Sequence, residues 1–334
     1  MNIKDSYLDA VKELGYTETE AHFLYIAATH SGYFTAAQFR SFSGLPTGKR
    51  SFKFTQKVIA NKHATLDVYA QNTRVYHLFS RRVYSAIGKE NIRNRREHEF
   101  SFIETRLTTL DYILANQGHD YFETEDQKVR YFCGALGLGK ECLPTRLYLG
   151  QKSSSITARY FVDKFPMFRS GVASPSVVTF TYVAADAETQ TGFATHLQDY
   201  LPLFRQLKQF NLVFISARSE QFVQARRIFS QLVQTPLRQP AGAELLRYFR
   251  VRKAWEAKQF AGLKQEDVQF LHDATKAFRE ARFQELFRAW NAETVTESEL
   301  RTILPAQSNT REIGFDAYVV RPQGFLSRLT GVRG

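Results

Sequence analysis

Hydrophobic positions along the chain change their spacing several times, and each change marks a different kind of element. Ile3, Tyr7, Leu8, Val11 and Leu14 recur at helical intervals and stop at Gly15, which predicts a short amphipathic helix. Thr17 opens the run TETEAHFLYIAATHSG with Glu20 three residues later, a capping box at the start of a second helix that Gly32 ends. Thr35 caps a third, AAQFRSFSG, ended by Gly44 and Pro46. From Pro46 and Thr47 the run GKRSFKFTQKVIANKH places Phe52, Thr55 and Ile59 on one helical face, to be packed, and Lys49, Lys53 and Lys57 on another. The period then shortens. ATLDVYA and RVYHLF are rich in β-branched and aromatic residues and flank Gln71, Asn72 and Thr73, the pattern of a β-hairpin with a short polar turn.

Downstream, Ser80 begins a mainly helical stretch that reaches Asn116 with a break expected at Gly88. Its first half carries Arg81, Arg82, Arg93, Arg95 and Arg96, and its second half carries Phe102, Ile103, Leu107, Leu110, Ile113 and Leu114 at core spacing. Thr124 and Gln127 form another capping box. After Leu143 the runs RLYLG, ITARYFV and SVVTFTYVAA read as strands, FATHLQDYLPLFRQLKQF as a helix with Pro202 inside it, NLVFISA as a buried strand and EQFVQARRIFSQLV as a helix. Strand, helix, strand, helix with an uninterrupted apolar strand implies a parallel pair in an α/β domain. Leu245 to Asn291 is again helical, TESEL is a short capped turn, and FDAYVV is a candidate edge strand. The expected division is therefore 1–88, 89–120 as a connecting helix, 121–240 as the α/β domain, and 241–334 as C-terminal helices and tail. This is a mixed α+β, multidomain chain.

Charge changes the picture most. The 334-residue chain has a formal net charge of +12. Between Arg40 and Arg96 there are thirteen Lys and Arg against two acids, Asp67 and Glu90, an excess of +11. Three helices followed by a hairpin, with the basic residues on the third helix and around the hairpin, predict a winged helix-turn-helix that meets a polyanion. Hydrophobic residues at 43% and aromatics at 14% suffice for folded cores. No apolar run approaches the ~20 residues of a spanning helix and the first sixteen residues lack a leader-like apolar stretch, so no membrane partner and a cytoplasmic location are expected.

Candidate chemistry is sparse. Cys133 and Cys142 match no zinc spacing, and His22, His30, His63 and His77 read as satisfied or exposed side chains rather than ligands. Gly134, Gly139 and Lys140 imitate a phosphate-binding loop, but Glu141 stands where Ser or Thr would hold magnesium, and a capped helix precedes the glycines where a strand is needed. They read as helix C-caps. No cofactor or metal is expected.

The succession of a winged helix, RVYHLFSRRVYSAIG leading into an Arg-rich helix, and an α/β domain with VVTFTYVAAD before a helix ending in Tyr200 resembles the replication-relaxation family of plasmid and mobile-element proteins, over about residues 17–235. That resemblance implies a second domain like a degenerate PD-(D/E)XK nuclease and a protein that binds double-stranded DNA in replication, transfer or regulation. A nuclease of that type needs an acid and an acid-x-Lys on successive strands to hold magnesium. Asp163 with Lys164, and Asp186 with Glu188, are the only neighbours of the right type, and neither makes that motif. The expectation is a non-enzymatic DNA-binding protein, with a metal-dependent nuclease as the alternative. The residues expected at DNA are Thr47, Lys49, Arg50, Ser51, Lys53 and Lys57 of the third helix, Asn72 and Arg74 of the hairpin, and Arg81, Arg82, Arg93, Arg95 and Arg96 on flanking phosphates. Arg50 and Ser51 are the candidates for base reading. A homodimer is expected, with Phe249, Trp255, Phe260, Phe278, Phe283, Phe287 and Trp290 either forming its seam or covering the sheet.

Overall fold

The computed structural model describes residues 1, 3–44, 48–69, 72–149, 156–163, 165–170, 177–184, 190–237, 241–304 and 311–320. It is a mixed α+β structure, and no helix among the described residues is long and apolar enough to cross a membrane. The chain divides into two compact units, Met1–Arg226 together with the chain from Gly314, and Arg227–Ile313.

The first unit begins with α1 (Asp5–Lys12) and α2 (Glu18–His30), followed by β1 (Tyr33–Phe34), α3 (Ala36–Phe42), α4 (Gly48–Ala60), β2 (Ala64–Tyr69) and β3 (Thr73–Leu78). Thr17 and Glu20 make the expected reciprocal cap on α2, and Thr35 with Gln38 makes one on α3. Each satisfies two backbone donors at a helix start that would otherwise lack partners. Residues Phe23–His30 of α2 are buried all round, so this helix is the centre of the bundle rather than an amphipathic cover. Gly32 leaves it with φ +85, and a Cβ there would fall 2.2 Å from the Asn94 carbonyl oxygen. Only glycine fits both the turn and the packing. The three strands form an antiparallel sheet in the order β1-β3-β2, with Val68 opposite Arg74 and Tyr69 opposite Thr73. Thr73, expected in the turn, is thus the first paired residue of β3.

After the hairpin come α5 (Arg81–Ala86), a 3-10 turn over Arg93–Arg95, and α6 (Phe100–Ala115). The long helix expected from Ser80 is broken in two: Gly88 turns at φ +66, and the buried Asn94 amide donates to the carbonyls of Ala28 (3.1 Å) and Thr29 (2.9 Å), holding this stretch against the end of α2. The Arg-rich run therefore lies outside any α-helix after Ala86.

β4 (Asp120–Tyr121), α7 (Glu125–Val129), β5 (Thr145–Leu149), β6 (Ile156–Tyr160), β7 (Met167–Ser170), β8 (Val177–Val183), α8 (Gln190–Phe204), β9 (Gln209–Ser216) and α9 (Gln221–Phe229) follow. Thr124 caps α7 with Gln127, and a π-helical continuation over Arg130–Ala135 leads to Gly137 at φ +67, a helix end rather than a phosphate loop. β8 and β9 pair in parallel across α8, as the apolar NLVFIS run predicts. They occupy the middle of a five-stranded sheet, β10-β9-β8-β7-β4, in which FDAYVV supplies the edge strand β10 (Glu312–Val319) and β7 runs antiparallel to β8. RLYLG and ITARYFV stay out of that sheet and form their own two-stranded ladder, β5 with β6.

The boundaries expected at 88/89, 120/121 and 240/241 do not coincide with this division. One hydrophobic core runs from Leu8 and Phe23 through Leu110, Tyr112 and Ile113 of α6 to Phe168, Val183, Ile215 and Val320 of the sheet. Tyr112 stands edge-on to Tyr318 of β10 with ring centroids 4.9 Å apart. α6 is shared core, not a connector.

The second unit contains α10 (Thr235–Leu237), α11 (Gly242–Glu256), α12 (Gln265–Ala277), α13 (Ala281–Asn291) and α14 (Glu297–Ile303), the last capped by Thr296 and Glu299. Phe249, Phe278, Phe283 and Phe287 are buried in its own core with Leu245, Leu246 and Tyr248, and Trp290 packs against that cluster. These five therefore pack within the second unit itself. Only Trp255 and Phe260 of the seven stay exposed, 5.3 Å apart.

Candidate nucleic-acid interface

The orientation of α4 follows from one aromatic cluster. Phe54 stacks on Phe39 at 4.0 Å and meets Phe23 edge-on at 5.7 Å, with Phe34 at 5.6 Å. Such pairs add to the ordinary burial of large apolar rings and fix the roll of the helix. Phe54, Val58, Ser51 and Thr55 form the packed side. Phe52, expected on that side, is instead 57% exposed. Lys49, Arg50 and Lys53 are exposed with it, Lys53 one helical turn on from Lys49 and Arg50.

The thirteen expected contact residues do not behave alike. Thr47 lies outside the described residues. Ser51 is buried and donates its hydroxyl to the Gly48 carbonyl at 2.9 Å, so it faces the core and not a base edge. Lys57 is half-buried; its Nζ donates to Glu20 Oε2 at 2.6 Å and sits 5.5 Å from the Tyr16 ring. The charge repeat 49, 53, 57 thus loses its last member to the acid that caps α2. Asn72 takes φ +58 next to the hairpin turn and is exposed, as is Arg74 two residues on.

Arg81 and Arg82 open α5 and are exposed. The carbonyl of His63 accepts from Phe79 N (3.3 Å) and Ser80 N (3.4 Å), which brings both arginines beside the C-terminal end of α4. Cations at a helix start oppose the helix dipole, so they do not stabilise α5 itself. Arg93 and Arg95 are half-buried in the 3-10 turn, Arg93 stacking over the Tyr148 ring at 5.2 Å, while Arg96 is exposed. Phe52 and Lys62, neither of them among the thirteen, are also exposed, Lys62 with φ +55 at the turn between α4 and β2.

His63 and His77 have structural partners: His63 Nδ1 lies 2.7 Å from the Tyr16 hydroxyl, and His77 stacks on Tyr33 with Nε2 3.4 Å from the Asn94 carbonyl. Burial keeps both below the ordinary histidine pKa. His30 departs from expectation, because its buried Nε2 has no hydrogen-bond partner among the described residues.

Of the nuclease candidates, Lys164, Asp186 and Glu188 lie outside the described residues. Asp163 accepts from His196 Nδ1 at 3.0 Å and from the Tyr200 hydroxyl at 3.1 Å. Burial alone would raise its pKa, but the His196 bond and the nearby cations hold the carboxyl below its ordinary value. Tyr200 enters the sequence reading only through the family resemblance, and His196, one turn earlier on α8, does not enter it, because two polar tips on an apolar helix face carry no signal until the strand opposite is known.

Compared with known proteins, the chain matches no family model, no curated protein and no solved structure.

Proposed function

We propose that this protein binds double-stranded DNA through a winged helix-turn-helix formed by residues 17–86, and that it serves as a non-enzymatic regulator or as a replication or transfer accessory factor of a mobile element. One observation carries the reading. The order helix, strand, helix, helix, hairpin, with the strands paired β1-β3-β2, leaves the outer side of the last helix exposed and lined by Lys49, Arg50 and Lys53. Arg50 is the base-reading candidate, since a guanidinium pairs bidentately with guanine. Arg74, Arg81, Arg82 and Arg96 supply phosphate contacts, and Asn72, at the turn end of the hairpin, supplies a further one. Fluorescence anisotropy with labelled duplex across a salt series tests this. Several phosphate contacts give a steep loss of affinity with salt, and a flat salt dependence or no binding rejects the reading.

Selection of sites from random duplex separates a regulator, which recovers a motif, from an accessory factor, which recovers none. Incubation of supercoiled plasmid with magnesium or manganese rejects the non-enzymatic part if the plasmid is cut. Two copies on a two-fold site would read half-sites ~10 base pairs apart. The exposed Trp255 and Phe260 pair is the remaining apolar contact to support such a dimer, and a mass near 38.5 kDa that persists on DNA rejects it.

A further inference from the structure

The outer stripe of α4 carries more than charge. Lys49, Phe52, Lys53 and Gln56 stand at i, i+3, i+4 and i+7, the spacing of one helical face, and all four are exposed. Phe54 and Val58 lie fully buried on the opposite side. The stack of Phe54 on Phe39 at 4.0 Å and its edge-on contact with Phe23 hold that roll, so Phe52 cannot turn inward without pulling Phe54 out. Phe52 is left with 57% of its surface in water.

A lone exposed ring on an arbitrary surface needs no explanation. This one sits between Lys49 and Lys53 in a 13-residue helix without one acidic residue, so the partner that neutralises the lysines also covers the ring. The partner must then be a polyanion with an apolar group among its charges. Duplex DNA presents one in the major groove, the C5 methyl of thymine. Gln56 supplies the second half of the argument. A side-chain amide pairs bidentately with adenine N6 and N7, and adenine is the base opposite thymine. Four helical residues advance about 6 Å, against about 3.4 Å between successive bases of a strand. Ring and amide therefore reach edges within one or two base-pair steps of each other.

We propose that α4 reads A·T base pairs in the major groove, with Phe52 packed on a thymine methyl and Gln56 paired with an adenine. These two residues, not the lysines beside them, set the A·T preference. The inference rests on the duplex-binding reading above and adds the class of sequence that the helix prefers.

The probe is the set of duplexes that the full chain recovers from a random library, each made again with uracil in place of thymine. That exchange removes the C5 methyl and keeps every phosphate and every Watson–Crick pair. Recovered duplexes should contain adjacent A·T pairs, and uracil should weaken their binding at least about threefold, the value of one buried methyl. Phe52→Ala should bind both forms alike, near the parent's affinity for the uracil form. Its salt slope should not change, because the ring neutralises no phosphate. Phe52→Leu, which keeps an apolar tip, should still prefer thymine. Gln56→Ala should lose about fivefold or more on the thymine duplex. Both positions are exposed, so the melting temperatures should stay within a degree or two of the parent's. The proposal is overturned if the recovered duplexes are not enriched in A·T pairs, or if the parent binds thymine and uracil forms alike. It is equally overturned if Phe52→Ala still tells the two forms apart, or if Gln56→Ala binds as the parent does. Any of these results with a steep salt dependence removes only the A·T reading and leaves duplex binding in place, whereas no binding at any salt removes both.

Discussion

Lys53 and Lys128 count equally toward the net charge, yet they occupy opposite physical situations. Lys53 stands in water on the outer side of α4, beside Lys49 and Arg50, whereas Lys128 is 5% exposed and shares its surroundings with a second buried cation. A cation in water keeps its hydration and acts on distant anions through a field that salt screens within ~10 Å. A buried cation has given up its hydration and needs a partner in contact. The first kind suits a repetitive polyanion met from solution. The second is held by neighbours inside the fold, as Lys128 Nζ donates to the Phe165 carbonyl at 3.2 Å. Basic character is therefore not one property of this chain but two, and charge density along the sequence reports only the first.

The sharpest way to break this distinction is to reverse the exposed charges. Lys49→Glu with Lys53→Glu should lower duplex affinity by roughly 100-fold or more at moderate salt. The salt slope should fall as well, since a lysine that no longer neutralises a phosphate no longer displaces its counterion. The melting temperature should stay within a degree or two, because neither side chain packs. Unchanged affinity in the folded double variant would remove α4 from the proposed interface.

The buried counterpart is Lys89, whose side chain is 6% exposed and which pairs with Glu123 (13% exposed) and donates to the Tyr25 hydroxyl at 2.7 Å. Burial lowers the Lys89 pKa even though Glu123 opposes it, so desolvation outweighs the pair's attraction. Lys89→Met leaves a carboxylate without its cation and should cost about 3 kcal/mol in chemical denaturation. Adding Glu123→Gln should recover a large part of that loss. A double variant no more stable than the single one would show that packing, not charge, was lost.

The sequence made the exposed half of this comparison legible and hid the other. The capping boxes at Thr17 and Thr124 and the cap at Thr35 mark helix starts that the structure reproduces, and the capped turn of TESEL proves to start a helix at Thr296, because a cap is a local arrangement of two side chains. The parallel β8-β9 pair was legible because a strand buried on both faces needs an uninterrupted apolar run. What failed was everything decided by a distant partner. Phe52 and Phe54 are both aromatic, and only the Phe23, Phe34 and Phe39 cluster determines which of them turns inward. Lys57 belongs to the charge repeat by spacing and to Glu20 by contact. Arg106 and Lys128 lie in helices with ordinary polar neighbours, and no local pattern announces that both are buried.

The pH axis separates exposed from buried charge in another way. Asp111 accepts from the Gln38 side chain at 2.9 Å, and burial raises its pKa to about 7. A raised carboxyl favours the protonated fold, so its stabilising contribution is complete below about pH 4, the ordinary carboxylate value, and is lost as pH rises through about 7. Asp111→Asn keeps an acceptor for Gln38 and cannot ionise. It should therefore exceed the parent by roughly 1–3 kcal/mol at pH 8, with the difference closing as the pH falls to about 4. Parallel stability curves for the two proteins across that range would show that Asp111 does not titrate with folding.

The smallest expected effect belongs to the residue that sits between the two situations. Lys57 is on α4 with Lys49 and Lys53, but its ammonium is committed to Glu20, whose carboxylate also accepts from the Thr17 amide at 2.9 Å. Partly exposed ion pairs of this kind contribute ~0–1 kcal/mol, and a cation already neutralised by a neighbour releases little when a phosphate approaches. Lys57→Ala should therefore change duplex affinity less than about threefold and lower stability by no more than about 1 kcal/mol. Lys53→Ala, one turn earlier on the exposed side, should weaken binding more. If the two alanine variants lose affinity equally, the Glu20 pair opens on DNA, and the basic face of α4 extends a full turn further than its unbound geometry implies.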